Sequence, residues 1–94
     1  MKPLLATVTN DQIVDWCRKH IATLLDFPID RIPTDGEFDS FGLDSAAAVS
    51  LVVDLEEWLG AEVSPSLLFE FPTIQLVAGE ILRQRDAAAA QVAA

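Results

Sequence analysis

The stretch from Phe38 to Gly60, FDSFGLDSAAAVSLVVDLEEWLG, decides how this chain folds. Asp44 is a residue type that commonly caps the start of a helix, and Gly60 is a type that commonly follows the end of one. The three consecutive alanines after Ser45 are the strongest helix formers available. The stretch therefore predicts a helix from Asp44 or Ser45 to about Leu59, with Ser45 at its exposed beginning.

The predicted helix carries two apolar stripes at helical spacing. The first stripe is expected to be buried and contains Ala48, Leu51, Val52, Leu55 and Leu59. The second stripe flanks the first and contains Ala46, Val49 and Val53, near the acidic side chains of Asp54, Glu56 and Glu57. So wide an apolar arc has two explanations that the sequence leaves open: a broad buried face, or a surface on which another protein docks.

Three further helices are predicted around this one. The first runs from Asp11 to Leu25, where Thr9 or Asn10 can cap it and where apolar residues repeat at helical spacing. A short helix over Ser66–Phe69 follows Ser64 and Pro65, which suit a helix start. A fourth helix begins after Thr73, and its inner face is expected to contain Ile74, Leu76, Val77, Ile81 and Leu82.

A long connection, Asp26 to Leu43, joins the first two long helices. It is predicted to have no regular structure of its own, and its apolar residues are expected to pack on the helices: Phe27, Ile29, Ile32, Phe38, Phe41 and Leu43. No segment reads convincingly as a strand. The predicted fold is a small all-α, antiparallel four-helix bundle with three longer helices and one short helix.

The domain organisation follows from the length of 94 residues, which suits a single domain over 1–94. The ordered core is expected to span about residues 10–85. The alanine-rich segment over 86–94 is expected to be a frayed helix end or the start of a linker.

Composition excludes several classes of partner. Fifteen acidic residues against six basic ones give a formal charge of −9, so nucleic acid and anionic membrane surfaces are poor partners. Proteins with basic patches are the expected partners. The absence of a long apolar run or signal peptide leads us to expect a cytoplasmic monomer with no membrane insertion. Cys17 is the only cysteine, which excludes an internal disulfide.

Catalytic and metal chemistry are poorly supported by the residues. A nucleophilic serine needs a base, and His20 is the only histidine, on a different predicted helix. The sequence GLDSA around Ser45 lacks the G-x-S-x-G elbow. In DRIPTDGEFD the glycine falls at the wrong place for an EF-hand loop. Trp16, Trp58 and Cys17 lie in apolar helical patterns and are expected to pack in or near the core.

The motif FDSFGLDS, followed by a helix that ends in DLEEWLG, resembles the phosphopantetheine attachment region of acyl carrier proteins. The segment LLFEFPTIQLVAGEIL is similar to the signature of the third and fourth helices in that family. It is most similar to carriers of polyketide synthases and to standalone carriers that serve fatty-acyl-adenylate ligases. The resemblance covers about Asp11 to Arg83.

The resemblance implies that Ser45 is modified with 4′-phosphopantetheine, which a separate transferase donates from coenzyme A. The arm ends in a thiol that holds an acyl group as a thioester, so the protein itself would be a carrier and not an enzyme. Asp44 would assist the transferase and its magnesium ion, and no metal would be held by the carrier. The second stripe and its acidic neighbours would recognise the transferase, a loading ligase or acyltransferase, and a ketosynthase or other biosynthetic enzyme.

One feature departs from the family pattern. Family members usually carry a large apolar residue directly after the serine, whereas this chain has Ala46. This difference predicts a specialised carrier for polyketide, lipid or related secondary metabolism. The attachment motif does not report the cargo, so a peptidyl carrier for an amino acid is one alternative. An unmodified helical interaction module, in which Ser45 is only structural, is the other.

Overall fold

The computed structural model describes residues 4–93 of the chain and the side chains of residues 4–89. It contains four α-helices: α1 (Asn10–Leu25), α2 (Ser45–Leu59), α3 (Leu67–Glu70) and α4 (Ile74–Ala93). Three short 3₁₀ helices cover Leu4–Ala6, Ile29–Arg31 and Phe38–Phe41. Within residues 4–93 there is no strand. The predicted fold class, a small helical bundle with three longer helices and one short helix, is confirmed.

Helix α1 begins one residue earlier than predicted because Thr9 forms a complete capping box with Gln12. The Gln12 amide donates to Thr9 Oγ1 at 3.1 Å, and the Thr9 amide donates to Gln12 Oε1 at 2.9 Å. At the other end, Asp26 adopts a left-handed conformation with φ of 56°, which closes the helix. Both ends of α1 are therefore defined by local hydrogen bonds.

Helix α2 separates the two apolar stripes that the sequence predicts. All five residues of the first stripe are buried: Ala48, Leu51, Val52, Leu55 and Leu59. In the second stripe, Val49 is 61% exposed and Val53 is 49% exposed. The wide apolar arc of α2 is thus not simply a broad core face, because its second stripe faces solvent.

The seam between α1 and α2 is formed by aromatic stacking and one ion pair. The Trp16 ring stacks on the Trp58 ring at a centroid distance of 5.0 Å and on the His20 ring at 4.6 Å. His20 Nε2 lies 2.6 Å from Asp54 Oδ2. Trp16 pairs with Trp58, and the later α1 residue His20 pairs with the earlier α2 residue Asp54, so the two helices run antiparallel. Both tryptophans are half-buried, as expected for partial core packing.

The structure corrects two details of the last helices. Ser66 is the N-cap of α3 and not its first residue, so α3 covers Leu67–Glu70. Leu76 was predicted on the inner face of α4 but is 50% exposed. It lies two residues after the fully buried Ile74, and two residues turn a helix by about 200°. The other predicted residues Ile74, Val77 and Ile81 are buried, and Leu82 is half-buried. Ala78 and Glu80 are also buried.

The segment before α1 packs against the bundle. Val8 is buried, two residues before the helix begins. Arg85 holds this segment against α4 by donating from Nη1 to the carbonyl oxygens of Val8, at 2.9 Å, and Leu5, at 3.3 Å. Helix α4 continues through the alanine-rich segment to Ala93. Ala94 and residues 1–3 lie outside the described residues, and a linker after the bundle stays a prediction.

The connection between α1 and α2 contains two 3₁₀ helices, which the sequence did not predict. The Arg18 guanidinium fixes the first one by donating to the carbonyl oxygens of Ile32, at 2.9 Å, and Ile29, at 3.1 Å. Ile32 is fully buried beneath it. Phe27 was expected to pack on the helices but is 42% exposed. Its amide donates to Ala22 O at 3.0 Å, at the end of α1.

No helix within the described range 4–93 is both long enough and apolar enough to cross a lipid bilayer.

The burial pattern predicts very different effects for two identical substitutions. Leu55→Ala removes a fully buried side chain and should lower the free energy of unfolding by about 2–5 kcal/mol. Leu76→Ala removes a half-exposed side chain and should change it by no more than about 0.5 kcal/mol. Urea denaturation followed by circular dichroism at 222 nm measures both values. Equal losses in the two variants would contradict the assignment of Leu76 to the surface.

Candidate functional site

Ser45 is the first residue of α2, and its side chain is exposed to solvent. Asp44 caps the helix: the Ala47 amide donates to Asp44 Oδ1 at 2.8 Å, and the Ala48 amide donates to the Asp44 carbonyl oxygen at 2.9 Å. The amides of the first helical turn point toward the region around Ser45, and the helix dipole favours negative charge there. A phosphate group on the Ser45 hydroxyl would suit this end of the helix.

A tight turn delivers Ser45 to this position. Gly42 ends the 3₁₀ helix over Phe38–Phe41 with φ of 93°, a left-handed conformation that favours glycine. Leu43 then turns into the core, and its amide donates to the Phe38 carbonyl oxygen at 3.1 Å. The Phe38 amide donates to Pro72 O at 2.9 Å, which connects the turn to the α3–α4 junction. Ser45 is thus exposed but has a firmly held backbone.

An apolar groove of about 510 Å³ opens beside Ser45. Its apolar wall is formed by Phe38, Leu43, Ala48, Leu68, Phe69 and Pro72. Its remaining lining residues are Glu37, Asp39, Asp44 and Ser45. Phe69 is the most exposed large apolar residue described, at 71%. The groove therefore offers apolar surface directly next to the Ser45 hydroxyl.

The groove was not foreseen in the sequence, because it joins the 3₁₀ helix, the start of α2 and the α3–α4 junction. One local signal for an exposed ring was present. Phe69 and Phe71 are two residues apart at the end of the short helix α3, so their rings are not expected to share one face. Phe71 is half-buried while Phe69 projects outward beside the groove.

The other residues proposed for recognition lie near one another on α2. Ala46, Val49 and Val53 form the exposed stripe, and Glu57 is also exposed. Glu56 is half-buried. Asp54 faces the α1 seam, where His20 already holds its carboxylate. The structure thus places Asp54 at the edge of this surface and not at its centre.

His20 is oriented by Asp54 and by the Trp16 ring. The only histidine of the chain is therefore part of the α1–α2 seam. No group of three or more His, Cys, Asp or Glu side chains in the described part of the chain is arranged to hold a metal ion.

Cys17 is 2% exposed, and burial raises the pKa of its thiol to about 12. The charged thiolate is the nucleophilic form of cysteine, and an apolar environment disfavours it. Cys17 therefore packs as a small apolar side chain, as its place in the α1 pattern predicts.

Comparison with known proteins gives a consistent assignment. The model of the phosphopantetheine attachment site family matches residues 15–81. The chain is 38% identical over 63 residues to the acyl carrier protein TtuC of Teredinibacter turnerae, an alignment that covers 67% of this chain and 72% of TtuC. It is 31% identical over 78 residues to the polyketide synthase PksL of Bacillus subtilis, covering 83% of this chain but only 2% of that synthase.

A solved structure of a carrier protein is also similar to this chain. A free-standing peptidyl carrier protein from a secondary metabolic pathway of Acinetobacter baumannii superposes with a TM-score of 0.76 at 31% sequence identity. The alignment covers 80% of this chain and 94% of that one. The family match over residues 15–81 includes the segments that form the groove.

The burial of Cys17 predicts that the protein, as translated, has no reactive thiol in its native state. A thiol with a pKa of about 12 is ionised to only about one part in ten thousand at pH 8. Ellman's reagent should therefore release almost no colour from the native protein and one equivalent after denaturation in guanidinium chloride. The control is Ser50→Cys in a Cys17→Ser background, since residue 50 is exposed on α2 and should react at once. Fast reaction of native Cys17 would contradict its burial.

Proposed function

The chain belongs to the phosphopantetheine attachment site family of carrier proteins, and from this premise we propose that it is an acyl carrier protein loaded on Ser45. Its relatives include an acyl carrier protein and a polyketide synthase, so it is a carrier of the polyketide synthase type. The family domain is the site at which phosphopantetheine is covalently attached.

One observation carries the assignment of Ser45: it is an exposed hydroxyl at the first position of a capped helix, next to an apolar groove. The hydroxyl oxygen would form an ester bond to the phosphorus that bears the pantetheine of coenzyme A. The bond from that phosphorus to adenosine 3′,5′-bisphosphate would break, and the serine proton would leave to a base of the transferase. Once bound, the arm supplies a terminal thiol that holds an acyl group as a thioester.

The residues of this chain would position the hydroxyl without activating it. Gly42 and Leu43 hold the turn, and Asp44 caps the helix while its other carboxylate oxygen stays available to a magnesium ion of the transferase. His20 is bound to Asp54 and so serves the α1–α2 seam. We therefore propose that the chain is non-catalytic and that partner enzymes perform every chemical step.

The partners proposed for this carrier are a phosphopantetheinyl transferase, a loading ligase or acyltransferase, and a ketosynthase or other biosynthetic enzyme. The exposed stripe of Ala46, Val49 and Val53 offers apolar contacts from the residue next to Ser45 to about two turns away. The chain's charge of −9 would steer partners with basic patches toward it. The small side chain of Ala46 would restrict the carrier to specialised partners.

Incubation of the protein with coenzyme A, magnesium and a broad-specificity transferase should add one phosphopantetheine group, measured by intact-protein mass spectrometry. Ser45→Ala should abolish the mass gain, because it removes the side-chain hydroxyl to which the phosphopantetheine would be attached. Ser50→Ala is the matched control, since it removes another exposed hydroxyl of α2 and should leave the gain intact. Modification of the Ser45→Ala variant would contradict attachment at Ser45. No modification of the wild type with several transferases would favour an unmodified helical module.

Ala46 follows Ser45 directly and is exposed. Ala46→Leu enlarges the apolar stripe next to Ser45 and should lower the KM of a general transferase for this protein by up to roughly tenfold, given the added area buried on docking. Ala87→Leu makes the same change at an exposed alanine of α4 and should leave the kinetics unaltered. Unchanged kinetics for Ala46→Leu would argue against a role of this position in partner choice.

A further inference from the structure

We propose that His20 withholds Asp54 from the transferase that modifies Ser45, and so weakens the attraction between α2 and a basic docking patch. The inference rests on the proposed function, since it concerns how that transferase engages the chain. His20 is a positioning residue here: it acts from α1 through Asp54 and takes no part in the transfer itself.

Asp54 lies at the border between the exposed stripe of α2 and the seam with α1. Val53, the residue before it, is 49% exposed, and Glu57, about one turn later, is also exposed. The Asp54 side chain is itself 39% exposed. A partner that covers Val53 would therefore bring its basic groups within reach of the Asp54 carboxylate.

The Asp54 carboxylate is already engaged by α1. His20 Nε2 lies 2.6 Å from Asp54 Oδ2, and Nε2 is the donor because an ionised carboxylate only accepts hydrogen bonds. A hydrogen bond to an ionised acceptor is one of the stronger kinds in proteins. An ammonium or guanidinium group of a partner must therefore compete with His20 for Asp54.

Stacking keeps His20 on its own side of the seam. Its ring lies nearly parallel to the ring of Trp16, 8° apart at a centroid distance of 4.6 Å, and Trp16 also stacks on Trp58. The His20 side chain is 27% exposed, less than that of Asp54. Movement of Asp54 toward a partner would break the hydrogen bond, because the imidazole cannot follow without leaving Trp16.

The neighbouring acids of α2 are not held in this way. Neither Glu56 nor Glu57 forms a salt bridge within the described residues. Of the three acids predicted to take part in recognition, Asp54 is thus the one whose carboxylate is bound to another helix. Removal of His20 would return it to the surface that a partner meets.

The test is a double-mutant cycle between His20 and Asp54, measured in the steady-state kinetics of a broad-specificity transferase with coenzyme A. His20→Phe keeps an aromatic ring beside Trp16 but has no donor for Asp54. The KM of the transferase for this variant should fall roughly two- to fivefold, the range of one added surface ion pair, with kcat unchanged. His20→Gln retains a side-chain donor and should behave like the wild type. In the Asp54→Asn background, His20→Phe should have no effect.

Asp15→Asn is the matched control, because it removes the same single charge from an acid that is also held by a basic side chain. Asp15 Oδ2 lies 2.9 Å from Lys19 Nζ at an exposed position of α1. In the otherwise wild-type protein, Asp54→Asn should raise KM no more than Asp15→Asn does. This comparison decides the question even where His20→Phe fails to fold. In the His20→Phe background, Asp54→Asn should raise KM roughly two- to fivefold and Asp15→Asn should not.

An unchanged or higher KM for His20→Phe would overturn the inference, as would an equal fall in the Asp54→Asn background or for His20→Gln. A larger rise in KM for Asp54→Asn than for Asp15→Asn in the otherwise wild-type protein would do the same. Failure of the proposed function would look different. In that case the wild type and all variants alike would gain no phosphopantetheine mass from coenzyme A.

Discussion

The position of Ser45 depends on the burial of Leu43, two residues before it. Leu43 enters the core directly after the left-handed Gly42, so the chain turns sharply and begins α2 from a fixed point. The buried Phe38 secures the other side of the turn through the Pro72 carbonyl oxygen. A loop that must present an exposed hydroxyl has few contacts of its own. Here that hydroxyl is held in place by apolar neighbours on the interior side of the chain.

Helix α2 has three faces around its axis: one toward the core, one toward α1 and one toward solvent. Leu51, Leu55 and Leu59 face the core, Asp54 and Trp58 face α1, and Val49 and Val53 face solvent. The separation is possible because 3.6 residues complete one turn, so neighbours in sequence face different directions. A stable core and an exposed apolar stripe can therefore be carried by fifteen residues.

Local signals predicted the cap at Asp44 and the buried stripe of α2, because both depend on residues within a few positions of one another. Tertiary features were harder. Leu76 was misplaced because its apolar character outweighed its spacing, which sets it about 200° around α4 from Ile74. The groove could not be predicted, since Glu37, Ala48 and Phe69 come together only after folding. Likewise His20 and Asp54 are 34 positions apart in the sequence, and their pairing requires the antiparallel packing of α1 on α2.

The stacked tryptophans have a consequence for spectroscopy. Trp16 and Trp58 are the only tryptophans, the chain has no tyrosine, and their rings lie nearly parallel, 12° apart. Intrinsic fluorescence above 300 nm therefore reports one location, the seam between α1 and α2, where two coupled indoles absorb and emit together. Neither indole lines the groove beside Ser45. The native emission thus monitors separation of these two helices, while events in the groove are better followed by a label placed there.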